Sequence, residues 1–225
     1  MNIFIVIIRC FVVLLPWKLK WWVLNKFFHY QIHPKAHIGL SYIFPRHLIM
    51  EEGAKIGHLN VAIHLDKMIL KKNSIIDRGN WITGFPTGTT SRHFSHNKDR
   101  KSELIIGCEA AITKNHHLDC TDSVQIGDFT TIAGYKSQLL THSINIYDGC
   151  QDCHPITIGD YCFVSTGVKI LGGSHLPDYS VLGAGAVLNK QYVDTYRLYA
   201  GVPARSVKDI NKDAKYFNRL SGFVI

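Results

Sequence analysis

This sequence is poor in acid, poor in cysteine and without an apolar run long enough to span a membrane. Asp and Glu number 17 against 25 Lys and Arg in 225 residues, a formal net charge of +8. That balance suits anionic partners: nucleic acid, an acidic membrane surface or a phosphate-bearing molecule. Six cysteines are too few and too scattered for a disulfide scaffold. They read as reduced thiols in a cytosolic compartment, packed as small hydrophobes. The longest apolar run, residues 3–15, is broken by Arg9 and falls short of the roughly 20 residues that a transmembrane helix needs. Nothing basic precedes it and Pro16-Trp17-Lys18 follows it, so it does not read as a secretory signal. No phosphate-cradling Walker sequence is present. Gly183-Ala184-Gly185-Ala186 lacks the third glycine and the strand-to-helix setting of a dinucleotide fingerprint. No recognition motif for nucleic acid accompanies the positive charge. With 46% hydrophobic and 19% charged residues, the chain is not disordered either.

Residues 17–28 mix Trp17, Trp21, Trp22, Phe27 and Phe28 with Lys18, Lys20 and Lys26. Tryptophan and lysine together suit the headgroup layer of a membrane. Residues 1–30 therefore read as an interfacial helix pair. The alternatives are a helix that packs its aromatics on its own domain or on a neighbouring subunit, and a true membrane span.

The rest of the chain repeats. Ile158, Val164, Ile170, Leu176, Leu182 and Leu188 are six residues apart and all aliphatic. Ile106, Ile112, Leu118 and Val124 keep the same period, Ile126 and Ile132 restart it with Gln138 in the next slot, and Ile38, Phe44, Met50 and Ile56 form an earlier register. Ile-Gly recurs at 38–39, 56–57, 106–107, 126–127 and 158–159. Neither a helical period nor simple alternation fits. A hexad is one short strand and one corner, and three make a coil of about 18 residues whose stacking buries a continuous core. Two stretches interrupt the array: a polar, basic one near 85–103, and one at 143–155 that follows His142. Long breaks in a repeat often carry function.

The array, closed by Gly201-Val202-Pro203-Ala204-Arg205, resembles the hexapeptide-repeat acyltransferases over roughly residues 32–208. Within them it is most similar to O-acetyltransferases of bacterial surface polysaccharides. The resemblance implies an all-β fold, a left-handed parallel β-helix over 32–205. An aromatic, basic helical extension precedes it at 1–31, and a short helical tail follows at 206–225. It also implies a homotrimer with shared active sites, acetyl-CoA as donor and a saccharide as acceptor, with no metal and no nucleic acid. A lipid-linked acceptor would account for an amino terminus that touches the inner face of the cytoplasmic membrane. Two other readings stay open: an acetyltransferase of a small soluble acceptor, and a non-catalytic trimeric scaffold.

Acyl transfer to a hydroxyl needs a base, and a neutral imidazole serves near pH 7. His142 resembles the family's catalytic histidine in ending a hexad line just before an inserted loop. Asn115, His117 and Asp119 lie about one coil earlier, where they would bind the acceptor or support the base. His117 and Asp119 would form a pair of their own, or Asp119 would be a turn residue bonding its own backbone. By the same resemblance Thr166 and Ala184 would touch the pantetheine arm of the donor. Asn189, Lys190, Arg205 and Lys208 would surround its nucleotide end, where cations suit phosphates. Asn189 stands where threonine is more usual, and one extra residue separates Lys190 from Arg205. Cys150-Gln151-Asp152-Cys153-His154 fits a haem-attachment pattern, but that chemistry needs export, and no second pair completes a zinc site. No histidine lies five residues from His142, the spacing of the zinc-binding carbonic anhydrases of this fold.

Overall fold

A computed structural model describes residues 3–224. Its body is a three-sided prism of stacked coils. The first face carries seven strands, from Gln31–Ile32 to His175–Leu176. The second carries nine, from His37–Ile38 to Arg205–Asp209, and the third seven, from Tyr42–Phe44 to Val187–Leu188. Each coil visits the faces in that order, so coil stacks on coil through parallel pairs such as Ile106↔Ile126 and Ile112↔Ile132.

The core is a column of inward-pointing aliphatic residues, two on several first-face strands (Leu104 and Ile106, Ile156 and Ile158) and one on most of the others. Ile158, Val164, Ile170, Leu176, Leu182 and Leu188 are all buried, and each such side chain contributes roughly 1.5–3 kcal/mol. In two places the inward column differs from the simple six-residue count. Leu139, not Gln138, pairs inward with Leu118 and Ile170, because the corner at 133–137 holds one residue more. Ile43, not Phe44, continues inward to Ala62. Phe44 faces out and is buried because the amino-terminal helices cover it, with Phe28 at 5.3 Å and the Arg9 guanidinium at 5.1 Å from its ring.

Those helices, α1 (Ile3–Leu14) and α2 (Trp17–Phe27), cap the first coil. The α2 helix turns Trp21 onto the coil, its indole N–H donating to the Ile32 carbonyl at 2.9 Å. Lys20 is buried and donates to the Gly39 carbonyl at 3.0 Å; burial lowers its pKa. Part of this aromatic segment therefore packs on its own domain. The α1 helix buries Val12 but leaves Phe4, Phe11 and Leu14 each at least 66% exposed. Among the described residues no helix is long and apolar enough to cross a membrane.

The first corner, between the first and second faces, is regular. Backbone N–H groups of Cys108, Asp128 and Asp160 donate to the carboxylates of Asp128, Asp160 and Asp178, each one coil on, at 2.7–2.8 Å. The next residues, Phe129, Tyr161, Tyr179 and Tyr196, all have φ of 54–56°, a left-handed conformation that bulky residues rarely adopt. Their rings stack at 4.6, 5.3 and 4.7 Å.

The second corner carries a buried polar ladder. Each side chain of Ser41, Asn60, Asn80 and His116 accepts from the backbone N–H one coil on.

The chain does not leave the prism at Arg205. Arg205–Asp209 returns antiparallel to Arg197–Ala200 on the second face. The helical part of the tail is a single 3-10 turn, Lys215–Asn218, which lays Phe217 edge-on against Tyr179 and Tyr196.

Candidate active site

Both inserted segments leave the third corner, between the third and first faces. The first, 84–102, follows the strand Trp81–Thr83. The second is a β-hairpin of His142–Asn145 and Cys150–Cys153, paired antiparallel. Asp119 ends one third-face strand, and Leu140 pairs beside it in register on the next. Two residues further on, His142 reaches back over Asp119.

The Asp119 carboxylate is buried and collects donors. Thr121 donates to one oxygen through its hydroxyl at 2.7 Å and its N–H at 3.2 Å. Thr141 donates to the other through hydroxyl and N–H at 3.0 and 3.1 Å, and the His142 N–H at 3.0 Å. His142 Nδ1 lies 2.6 Å from that same oxygen. Burial pushes the Asp119 pKa up, but the hydrogen bonds from His142 and Thr121 outweigh it and hold it below the usual value. An ionised Asp119 makes Nδ1 the protonated nitrogen of His142 and leaves Nε2 with a lone pair. The same bond raises the His142 pKa, more than burial lowers it. The half-exposed ring opens on a cleft of about 270 Å³ lined by Phe85, His93, Phe94 and Gln151. Phe94 meets it edge-on at 6.1 Å. An imidazole held through one nitrogen by a carboxylate, with a lone pair on the other, is an arrangement that can take a proton from a hydroxyl.

The other expected residues fall elsewhere. Asp119 is engaged by His142 and not by His117, which faces a separate cleft with Asn115, Trp81 and Lys136. The neighbouring His116 is structural: Nδ1 accepts from Ser137 N–H at 3.1 Å and Nε2 lies 3.0 Å from the Thr113 hydroxyl. Burial drops its pKa to about 4. Thr166 and Ala184 occupy the second corner on successive coils, joined by the Gly185 N–H to the Thr166 carbonyl at 3.0 Å. Asn189 and Lys190 follow the last third-face strand, and Arg205 and Lys208 stand exposed on the closing strand. None of the six lines the His142 cleft. Cys153 is buried with its thiol pushed up to about 12 by desolvation, and among the described residues no three metal-ligating side chains converge.

The spacing of the repeat did not reveal Thr121, Thr141, Phe85, Phe94 or Arg100. Arg100 is buried, donates to the carbonyls of Phe85, Pro86 and Thr121, and lies between the rings of Phe85 (5.5 Å) and Phe94 (5.0 Å). The one signal was composition: two arginines and two phenylalanines within an otherwise polar insertion.

No protein-family model matches the chain. Over 109 residues it is 32% identical to the galactoside O-acetyltransferase of Escherichia coli strain K12, a stretch that is 46% of this chain and 53% of that protein. The chain thus spans about half the length of that curated relative. Among solved structures, a hexapeptide-repeat-containing acetyltransferase of Vibrio cholerae matches at TM-score 0.50 and 24% identity, over 63% of this chain and 73% of that one. An N-acyltransferase of Bacillus cereus, in complex with dTDP-4-amino-4,6-dideoxyglucose and coenzyme A, matches at 0.60 and 13%, over 75% and 87%. The acetyltransferase specific for polysialic acid matches at 0.50 and 19%, over 80% of each chain. These likenesses bear on the fold, and the resemblance drawn from the repeat and its ending recurs in them.

Proposed function

We propose that this chain, taken as a hexapeptide-repeat acyltransferase, is an acetyl-CoA-dependent O-acetyltransferase of a saccharide hydroxyl. The observation that carries the reading is the Asp119–His142 pair facing a cleft at the one corner where the repeat is interrupted. His142 Nε2 takes the proton of the acceptor hydroxyl as its oxygen attacks the thioester carbonyl. Asp119 steadies the imidazolium that forms, which then returns the proton to the departing CoA thiolate. The names of the relatives, which include galactoside and polysialic acid acetyltransferases, support a saccharide acceptor, and the left-handed sense of the coil is what the family resemblance implies.

Thr166, Ala184, Asn189, Lys190, Arg205 and Lys208 form the donor groove in this reading, and Asn115 and His117 serve a neighbouring subunit. Thr166 and Ala184 lie at the second corner and His142 at the third, which favours a homotrimer with active sites shared between subunits. The three-part organisation is then an extension (1–31), a transferase body (32–205) and a clamping tail (206–225). Six free cysteines suit the cytoplasm. The exposed apolar side of α1 and the exposed Lys18 and Lys26 of α2 suit the inner face of a membrane. Deleting residues 1–29 then abolishes cosedimentation with anionic vesicles; unchanged cosedimentation overturns the membrane contact.

Calorimetry with acetyl-CoA tests the central reading. Binding that weakens in Arg205→Ala and Lys190→Ala supports it, and no binding at all removes the donor and with it the enzyme.

A further inference from the structure

Beside the His142 cleft lies a second one, of about 300 Å³, inside the inserted segment 84–102. The two share His93 and Phe94 as walls. Thr89, Ser91, Ser95, Asn97, Lys98 and Arg100 line the second cleft, and no carboxylate does. Over 84–102 the chain holds Arg92, Lys98, Arg100 and Lys101 against the single acid Asp99, which is exposed and outside the wall. The nearby acids are already engaged. Asp66 accepts from Arg46 and from the Thr87 N–H and hydroxyl; Asp122 accepts from the N–H groups of Lys101 and Ser123.

Arg100 sets the sign of the potential. It is 8% exposed. Its guanidinium is satisfied by the carbonyls of Phe85, Pro86 and Thr121 and by two aromatic faces, and among the described residues it makes no ion pair. A desolvated cation held by dipoles alone keeps its full charge at short range. The wall it serves offers hydroxyl and amide donors and the ammonium of Lys98, which has no ion-pair partner among the described residues either.

We propose that this loop cleft takes an anionic group, a phosphate or a carboxylate, of the same acceptor whose hydroxyl is presented to His142. The inference rests on the acetyltransferase reading and adds the charge of the acceptor to it. A neutral sugar fills the aromatic cleft beside Phe85 and Phe94; an acidic sugar or sugar phosphate fills both.

Two measurements on the full-length protein test the proposal. The first compares acetyl transfer to a neutral hexose, its phosphate ester and the corresponding uronic acid. The anionic acceptors are favoured in kcat/KM by about tenfold or more. The ratio collapses towards one in Lys98→Gln and shrinks as salt screens the contact; which anionic acceptor leads separates phosphate from carboxylate. Equal use of neutral and anionic acceptors, or a Lys98→Gln change that leaves the ratio intact, overturns the inference. The second reads binding without turnover, by titrating the sugar phosphate and the uronic acid into wild type, Lys98→Gln and Arg205→Ala. Loss of binding in Lys98→Gln but not in Arg205→Ala supports the loop cleft. Anion binding lost only in Arg205→Ala, or absent from wild type, sinks it. Absence of transfer to every acceptor, with binding still dependent on Lys98, defeats the acetyltransferase reading and leaves the anion site standing.

Discussion

The first and third corners of the prism are built from the same repeat and end in opposite states. At the first corner, each aspartate satisfies the backbone of the coil before it and each ring rests on the ring one coil away. At the third corner the repeat is broken twice, and the polar groups turn to inserted chain. Asp119 takes donors from Thr121, Thr141 and His142, and Arg100 ties the longer insertion to the same Thr121. A continuing repeat uses up its hydrogen bonds and its faces on itself. Where it stops, a histidine can be held by one nitrogen while the other stays free. On the proposed function, stability and chemistry are separated onto two edges of one fold, and substitutions at each edge should show it.

The largest effect lies at the third corner. In His142→Ala, acetyl transfer falls by about 10³-fold, while the melting temperature moves little, because the ring is half-exposed. Asp119→Asn does both kinds of damage. It faces an amide with N–H donors and removes the charge behind the imidazole, so turnover drops by about 10²-fold and stability by about 3 kcal/mol. Steady-state rates beside denaturant midpoints distinguish the two. An Asp119→Asn enzyme with normal turnover breaks the assignment of the pair.

How much of this was legible in the sequence follows from the same division. The six-residue aliphatic period gave the stacked-coil fold because every coil makes the same contacts. It slipped by one at Gln138 and Leu139, where a corner takes an extra residue, and at Phe44, which is buried from outside by α1 and α2. The place of His142, at the end of a hexad line and before an insertion, was legible as well. Its partner was legible only as one of three candidates about one coil earlier, Asn115, His117 and Asp119; stacking of one coil on the next brings Asp119, 23 positions back, to 2.6 Å. Segment 84–102 has no period at all. That Arg100 lies between Phe85 and Phe94 is a result of loop closure, which spacing does not encode. The tail is expected to be helical because Tyr216 and Phe217, which meet the aromatic stack, follow no repeat spacing that would reveal the contact.

Acid separates two histidines of neighbouring coils. Burial drops His116 to about 4 against roughly 6.5 unfolded. The unfolded chain therefore takes up a proton first, and stability falls as pH drops from about 6.5 to about 4, then levels. The loss is of order 3 kcal/mol, and His116→Asn flattens that part of the curve. His142 shifts the other way. A base must be neutral, so kcat/KM falls as pH drops through a midpoint above 6.5, and Asp119→Asn moves that midpoint down. An acid limb that Asp119→Asn leaves in place would mean that another group is titrating.

The smallest effect belongs to the corner that does no chemistry. Tyr179 stacks between Tyr161 and Tyr196 and takes Phe217 edge-on. Aromatic pairs contribute about 0.5–1.5 kcal/mol each, so Tyr179→Ala costs about 2 kcal/mol and loosens the tail, seen as faster proteolysis after Asp209. Its backbone sits at φ 56°, where a Cβ is strained and glycine is not. Tyr179→Gly should therefore be no less stable than Tyr179→Ala, which reverses the usual order of the two. Both variants keep wild-type kcat, because neither touches the Asp119–His142 pair. A fall in kcat from either would show that the two edges are coupled through the coils, and the separation drawn between them would have to be given up.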